Sequence, residues 1–351
     1  MKLVVDLDNC LIKIDVFKEM LAKAMFKKPA LFIKTVLIAI IFNKQKAKLH
    51  IAKFFNINCD DLPFENQVIE LIYNYKKKGY QIILATGATE RIAKQIANHL
   101  KIFDKIIGTN ENRNNIGENK LEAIKSECGN NFIYVGDSQI DLIIWNFCKK
   151  AIYVGSNNSI SKNLVKKNVE VIKTINSKKS YFSLILKQLR VHQWSKNILL
   201  FIPSIASHQL FIGGNFFGCL KGFFSFSLIA SSIYIFNDIV DVDHDRKHFK
   251  KKFRPIASGD LPIFNAIFIL TICLSFGILL GYYISNSFLL ILAMYLISNL
   301  FYTFYLKQLI VADIILLMSF YVLRLLAGHV TNTIALSPWL LSFSIFLFFS
   351  L

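Results

Sequence analysis

The sequence predicts an α/β domain on a Rossmann-like parallel sheet, followed by an all-α bundle of several transmembrane helices. Up to about Leu189 charged and apolar segments alternate as in a soluble protein, whereas from Asn197 onward apolar runs approach or exceed the ~20 residues that cross a bilayer. The 351 residues are 54% hydrophobic and 18% charged, which excludes a disordered chain. Charge divides at the same place: residues 1–189 hold 30 Lys+Arg against 17 Asp+Glu, and residues 190–351 hold 11 against 6. A basic soluble half joined to membrane helices suits an anionic cytoplasmic leaflet better than it suits nucleic acid. The six cysteines show no C-x-x-C pair and no His at zinc-ligand spacing, so neither a disulfide framework nor a zinc knuckle is indicated.

Each strand of the first half ends in polar residues. Lys2-Leu3-Val4-Val5 runs into Asp6-Leu7-Asp8, whose two carboxyls leave one face at the end where open α/β sheets bind ligands. This opening reads as a strand and not as a secretory signal, so the soluble half is expected in the cytoplasm. Gln81-Ile82-Ile83-Leu84-Ala85 ends in Thr86-Gly87, ahead of a helix over about 89–100. Asn131-Phe132-Ile133-Tyr134-Val135 ends in Gly136-Asp137-Ser138-Gln139-Ile140-Asp141. Strands alternating with helices argue for a parallel sheet.

Over about residues 1–175 these motifs resemble the haloacid dehalogenase (HAD) phosphatase superfamily, with a D-x-D pair, a strand-end Ser/Thr, a Lys and a G-D-x-x-x-D acidic pair in order. Such a set supplies a carboxylate nucleophile, a second carboxyl to move the proton and cations for the phosphoryl oxygens. The resemblance implies that Asp6 forms an aspartyl-phosphate and that Asp8 is the general acid/base. Thr86 would bond the phosphoryl group, Lys120 would neutralise it, and Asp6, Asp8, Asp137 and Asp141 would hold Mg²⁺. Asn9-Cys10 stand where the superfamily commonly has Gly-Thr. Residues 12–78 would form a helical cap inserted after the first strand. Inside it, residues 30–42 are apolar but for Lys34 and are flanked by Lys27-Lys28 and Lys44. Thirteen residues are too few to span a bilayer, so the segment reads either as a core helix or as an amphipathic helix resting on the membrane.

Residues 176–189 read as a linker and 190–351 as the membrane domain. Spans are expected at about 197–213, 216–236, 263–284, 287–306 and 309–328, with an unfinished one from about 338. Loops near 237–262 and at Lys307 carry the basic residues, which places them and the N-terminal domain in the cytoplasm. In the long loop, Asp238, Asp241 and Asp245 fall on one helical stripe. Carboxylates so crowded suit a divalent cation holding a diphosphate, and Lys250-Lys251-Lys252-Phe253-Arg254 follow at once with cations for phosphate oxygens.

Asn237-Asp238-Ile239-Val240-Asp241-Val242-Asp243-His244-Asp245, followed by Arg254-Pro255-Ile256-Ala257-Ser258-Gly259, resembles the signature of the UbiA prenyltransferase superfamily. Leu189-Arg190-Val191-His192-Gln193-Trp194-Ser195-Lys196-Asn197 is similar to the opening of its decaprenyl-phosphate phosphoribosyltransferase branch. So are Tyr302-Thr303-Phe304-Tyr305-Leu306-Lys307 with Asp313, and Arg324-Leu325-Leu326-Ala327-Gly328. The resemblance implies catalytic and Mg²⁺-binding roles for Asp238 and Asp241, with Asp245 as a further ligand. It implies substrate contacts at Lys196, Asn197, Asn237, Lys251, Arg254, Tyr302, Lys307, Asp313 and Arg324. Asp313 and Arg324 would be costly facing lipid, so they are expected to face a cavity.

The expected activity is transfer of phosphoribose from phosphoribosyl diphosphate to a polyprenyl phosphate in the cytoplasmic membrane, beside a phosphatase. A prenyltransferase acting on an aromatic acceptor is the second enzyme reading, and a lipid-binding scaffold with a degenerate phosphatase is the non-enzymatic one. The sequence stops within an apolar run after six expected spans, where superfamily members have about nine, so a truncated bundle is expected.

Overall fold

The computed structural model of the chain describes residues 1–349 apart from 56, 168, 177–179 and 307–309, and the backbone alone of 158, 305, 306 and 310–313. Two compact units form: Met1–Leu184 with Val240–Phe264, and Ile185–Ile239 with Asn265–Leu351. The second stretch of the first unit is the loop that carries most of the acidic motif and its basic continuation. The segment expected as a linker carries the helix Tyr181–Leu189.

The first unit is built on six parallel strands: β1 (Lys2–Val5), β2 (Gln81–Thr89), β3 (Lys105–Thr109), β4 (Phe132–Gly136), β5 (Lys150–Val154) and β6 (Val171–Ile175), in the order β3-β2-β1-β4-β5-β6. Strands covered on both faces read as continuous apolar runs, because successive side chains enter opposite layers. Leu3, Val5, Ile82, Leu84, Ile133 and Val135 enter one core, while Val4, Ile83, Ala85, Phe132 and Tyr134 enter the other. Because β1 lies between β2 and β4, the ends bearing Asp6, Thr86 and Asp137 converge where the winding of the sheet changes direction, which is where such sheets bind ligands.

Strand β2 runs past the expected Thr86-Gly87 end to Thr89, and its pairing with β3 shifts register between Ala85 and Thr89. A bulge frees backbone carbonyls that need other donors. Asn115 Nδ2 bonds the Thr86 carbonyl at 3.0 Å, and Thr109 Oγ1 and Lys48 Nζ bond the Gly87 carbonyl at 3.0 and 2.6 Å.

The cap comprises the helices Val16–Lys27, Pro29–Ile41 and Lys44–Phe54, ahead of Asn66–Lys77. Asp15 and Asn43 cap the first and third, each accepting a backbone N–H in the first turn. The helix Pro29–Ile41 buries Thr35 alone, so it is not a core helix.

Among the described residues, four helices are long and apolar enough to cross a bilayer: Asn215–Val240, Ile263–Tyr282, Asn286–Phe304 and Ile314–Thr331. The span expected at 197–213 does not form. It is replaced by a 3₁₀ helix Val191–Phe201, a short helix Ile202–Ala206 and a turn in which His208, Gly213 and Gly214 take positive φ. Pro203 has no N–H to continue a helix and so sits in the first turn of a new one. The expected final span is the shorter helix Pro338–Phe349. Leu200, Phe226, Ile229, Phe288, Tyr295 and Phe320 form the core of this unit. Gly328 lets its helix lie against the backbone at Leu200, where a Cβ would collide.

In the first unit, the Arg246 guanidinium pairs bidentately with buried Glu19, at 2.6 and 2.8 Å. Burial works against the Glu19 charge, but Arg246 and Lys23 hold its carboxyl at about 2. Arg246→Met leaves that charge with Lys23 as its remaining partner, and a loss toward the lower end of about 3–5 kcal/mol is expected. Thermal unfolding of the full chain should show it, with the Glu19→Gln/Arg246→Met double variant losing less than the two singles together.

Candidate functional site

Asp6 leaves the end of β1 and is nearly buried. Its Oδ1 accepts the Leu7 N–H at 2.7 Å and its Oδ2 pairs with Lys120 Nζ at 2.9 Å. Asp137 leaves the end of β4 and Asp141 closes the turn below it. Ligand oxygens of Asp6, Asp137 and Asp141 lie within 4.8 Å of one another. Asp141 is oriented by the Tyr134 hydroxyl at 2.7 Å, the Ser138 N–H at 3.0 Å and the Ser138 hydroxyl at 2.8 Å. Gly136 is required here, since a Cβ would come within 2.8 Å of the Asp141 carboxylate. Asp8 stands outside that trio, with its Oδ1 accepting the Val16 N–H at 2.9 Å. Thr86 is buried, and its hydroxyl accepts the Ala88 N–H at 3.0 Å.

Electrostatics follow from burial. Desolvation, opposed by Lys120, raises the Asp6 carboxyl to about 6. Desolvation with the nearby Asp15 raises Asp8 to about 7. Desolvation and the charges of Asp6 and Asp141 raise Asp137 to about 8. Burial disfavours the Lys120 ammonium, yet Asp6 and Asp141 overcome it and raise its pKa. Hard carboxylate oxygens gathered in a buried volume with one paired lysine fit Mg²⁺.

Sequence reasoning missed Lys48. It comes from the cap helix Lys44–Phe54, is buried, and bonds the Gly87 carbonyl. Burial lowers its pKa while Asp8 acts the other way. In the sequence it is one of several alternating lysines, and only its position under the cap distinguishes it.

The residues expected in the membrane half fall in separate settings. Asp238 is buried near the end of the helix Asn215–Val240, where its carboxylate accepts from Arg190 at 2.6 Å and Gln188 at 2.8 Å. Asn237 accepts from the Thr303 hydroxyl at 2.8 Å. Asn197 is buried, donates to Ser227 at 2.8 Å and accepts from Arg324 Nε at 2.8 Å. Arg324 is buried, also reaches the Tyr295 hydroxyl, and lies over the rings of Phe226, Tyr295 and Tyr321. Lys196 lies over the Tyr321 ring at 6.0 Å, and the Tyr302 ring packs edge-on to Phe320.

In the first unit, Asp245 is buried and bonded to Arg254 at 2.6 Å, while Asp241 precedes the helix Val242–Lys247 and Lys251 opens the short 3₁₀ turn Lys251–Phe253. Lys307 and the Asp313 side chain lie outside the described residues. Among the described residues no second group of three candidate ligands gathers as Asp6, Asp137 and Asp141 do. Asp238 in the helical unit and Asp245 in the first unit are each bonded to an arginine.

The raised carboxyls give a pH signature. Unfolded, they titrate near the usual 3.8. Their folded values are higher, so their contribution is fully present below about pH 4 and is lost as pH rises through about 6 to 8. Without metal the melting temperature is expected to fall across that window. Added Mg²⁺ should restore it above pH 8 and do little near pH 5, which thermal melts with Mg²⁺ and with chelator would show.

Residues 199–351 match the UbiA prenyltransferase family. An uncharacterised protein of Sinorhizobium fredii is 36% identical over 99% of this chain and 67% of its own length. The decaprenyl-phosphate phosphoribosyltransferase of Mycobacterium tuberculosis is 33% identical over 45% of this chain and 53% of its own. The chain thus spans about half the length of the phosphoribosyltransferases it matches. A substrate-bound phosphoserine phosphatase structure superposes with a TM-score of 0.34 at 15% identity, over 52% of this chain and 96% of that one. Residues 199–351 of the chain are a UbiA prenyltransferase family domain.

Proposed function

We propose that the helical unit transfers phosphoribose from phosphoribosyl diphosphate to a polyprenyl phosphate, and that the N-terminal half hydrolyses the 5-phosphate of the lipid-linked product on the cytoplasmic side. In the first reaction a phosphate oxygen of the lipid attacks C1 of the sugar, the C1–O bond to the diphosphate breaks, and pyrophosphate leaves. Arg190 and Arg324 are the cations the helical unit offers to that developing charge. One observation carries the reading: Arg190, from the opening that resembles the phosphoribosyltransferase branch, is bonded to Asp238, the first carboxylate of the acidic motif.

In the second reaction the Asp6 carboxylate attacks phosphorus and the bond to the leaving oxygen breaks. Asp8, at about 7, holds a proton for that oxygen near neutral pH and takes one from water in the hydrolytic step. Lys120 stays charged beside Asp6 and neutralises the phosphoryl oxygens. Mg²⁺ held by Asp6, Asp137 and Asp141 would supply further charge neutralisation there.

Membranes holding the chain test both halves. Label from phosphoribosyl diphosphate should enter the lipid fraction and be lost with Asp238→Ala. Entry of label from a prenyl diphosphate instead would establish the prenyltransferase reading. Asp6→Asn should leave the lipid product phosphorylated, and Asp8→Asn should slow phosphate release by about 10²–10⁴-fold. Unchanged phosphate release in both variants would remove the phosphatase from the scheme.

A further inference from the structure

The cap carries an apolar surface that its own fold leaves uncovered. In the helix Pro29–Ile41 one side is used: Thr35 is buried and Phe32 packs against the sheet's core. The other side presents Ile33, Leu37, Ile40 and Ile41, which recur at i, i+4, i+7 and i+8 and so form one stripe, extended by Phe42. Ile40 is 74% exposed and Ile41 67%. Charge surrounds this stripe with a single sign, since residues 27–53 contain seven lysines and no carboxylate. Lys28, Lys34 and Lys44 are exposed, and Lys46 lies over the Phe42 ring at 4.5 Å.

An apolar stripe rimmed by lysines fits an anionic lipid surface, with the side chains among acyl chains and the ammonium groups at the phosphates. The chain's membrane-length helices keep such a surface at high effective concentration, so a modest affinity suffices. We propose that the helix Pro29–Ile41 with Phe42 docks on the anionic leaflet of the bilayer that holds the helical unit. The next helix, Lys44–Phe54, packs against it and carries Lys48 to the Gly87 carbonyl beside Asp8. Docking therefore sets the phosphatase site at headgroup level and selects phosphomonoesters on lipids. That consequence rests on the phosphatase reading, whereas the docking itself does not.

The test uses the full chain in nanodiscs, with Cys128 and Cys148 changed to Ser and an environment-sensitive fluorophore on Ile40→Cys. Ile33→Cys serves as a second site and Lys166→Cys as a polar control. In discs containing phosphatidylglycerol, emission from both stripe positions should shift to the blue and lose most of its intensity to doxyl-labelled lipids. The shift should weaken in phosphatidylcholine and in high salt, and the control should stay water-like. Water-like emission at both stripe positions would overturn the proposal. So would a blue shift that doxyl lipids leave unquenched, which would place a second copy or another protein on the stripe. The readout needs no turnover, so its failure is separate from a failure of the phosphatase reading.

Discussion

A shortage of positive charge around three buried carboxyls is the constraint on which the N-terminal half depends. Asp6, Asp137 and Asp141 crowd the ends of adjacent strands, and Lys120 is the ammonium paired with them. Charges so placed repel unless protons or a cation are taken up. The surrounding structure holds the arrangement in place: Tyr134 and Ser138 orient Asp141, Gly136 leaves room for its carboxylate, and the β2 bulge is tied by Asn115, Thr109 and Lys48.

The loop after Val240 shows a different economy of charge. Several of its carboxylates and cations pair within the first unit: Asp245 with Arg254, Asp243 with Lys23 and Lys27, Arg246 with Glu19, and Asp260 with Lys13. Asp243 is held at about 2, with Lys23 the main opponent of its burial. A loop belonging by sequence to the membrane domain is therefore built as part of the α/β unit. In the helical unit the same logic appears around Asp238, held by Arg190 and Gln188, and around Arg324, surrounded by Asn197, Tyr295 and three aromatic rings.

Strand ends were legible because parallel strands buried on both faces leave polar residues only where the backbone exits the sheet. Asp6, Thr86 and Asp137 stand out for that reason. Lys48 was not legible, since nothing local separates it from Lys44 and Lys46. The Glu19–Arg246 pair joins residues 227 apart and has no local signal at all. The segment at 197–213 was misread as a span because apolar content outweighed Pro203 and His208, the two residues that break it. Periodicity in residues 30–42 admits both a core and a surface helix, and burial of Thr35 alone rules out the core reading.

The central claim is that Asp6 and Asp137 give up protons to a divalent cation held with Asp141. Calorimetric titration of Mg²⁺ into the full chain near neutral pH, repeated in buffers of different ionisation enthalpy, measures the protons released on binding. Release of about one proton or more per ion, abolished by Asp137→Asn, is the expected result. Binding without proton release, or binding that Asp137→Asn leaves intact, would contradict the account.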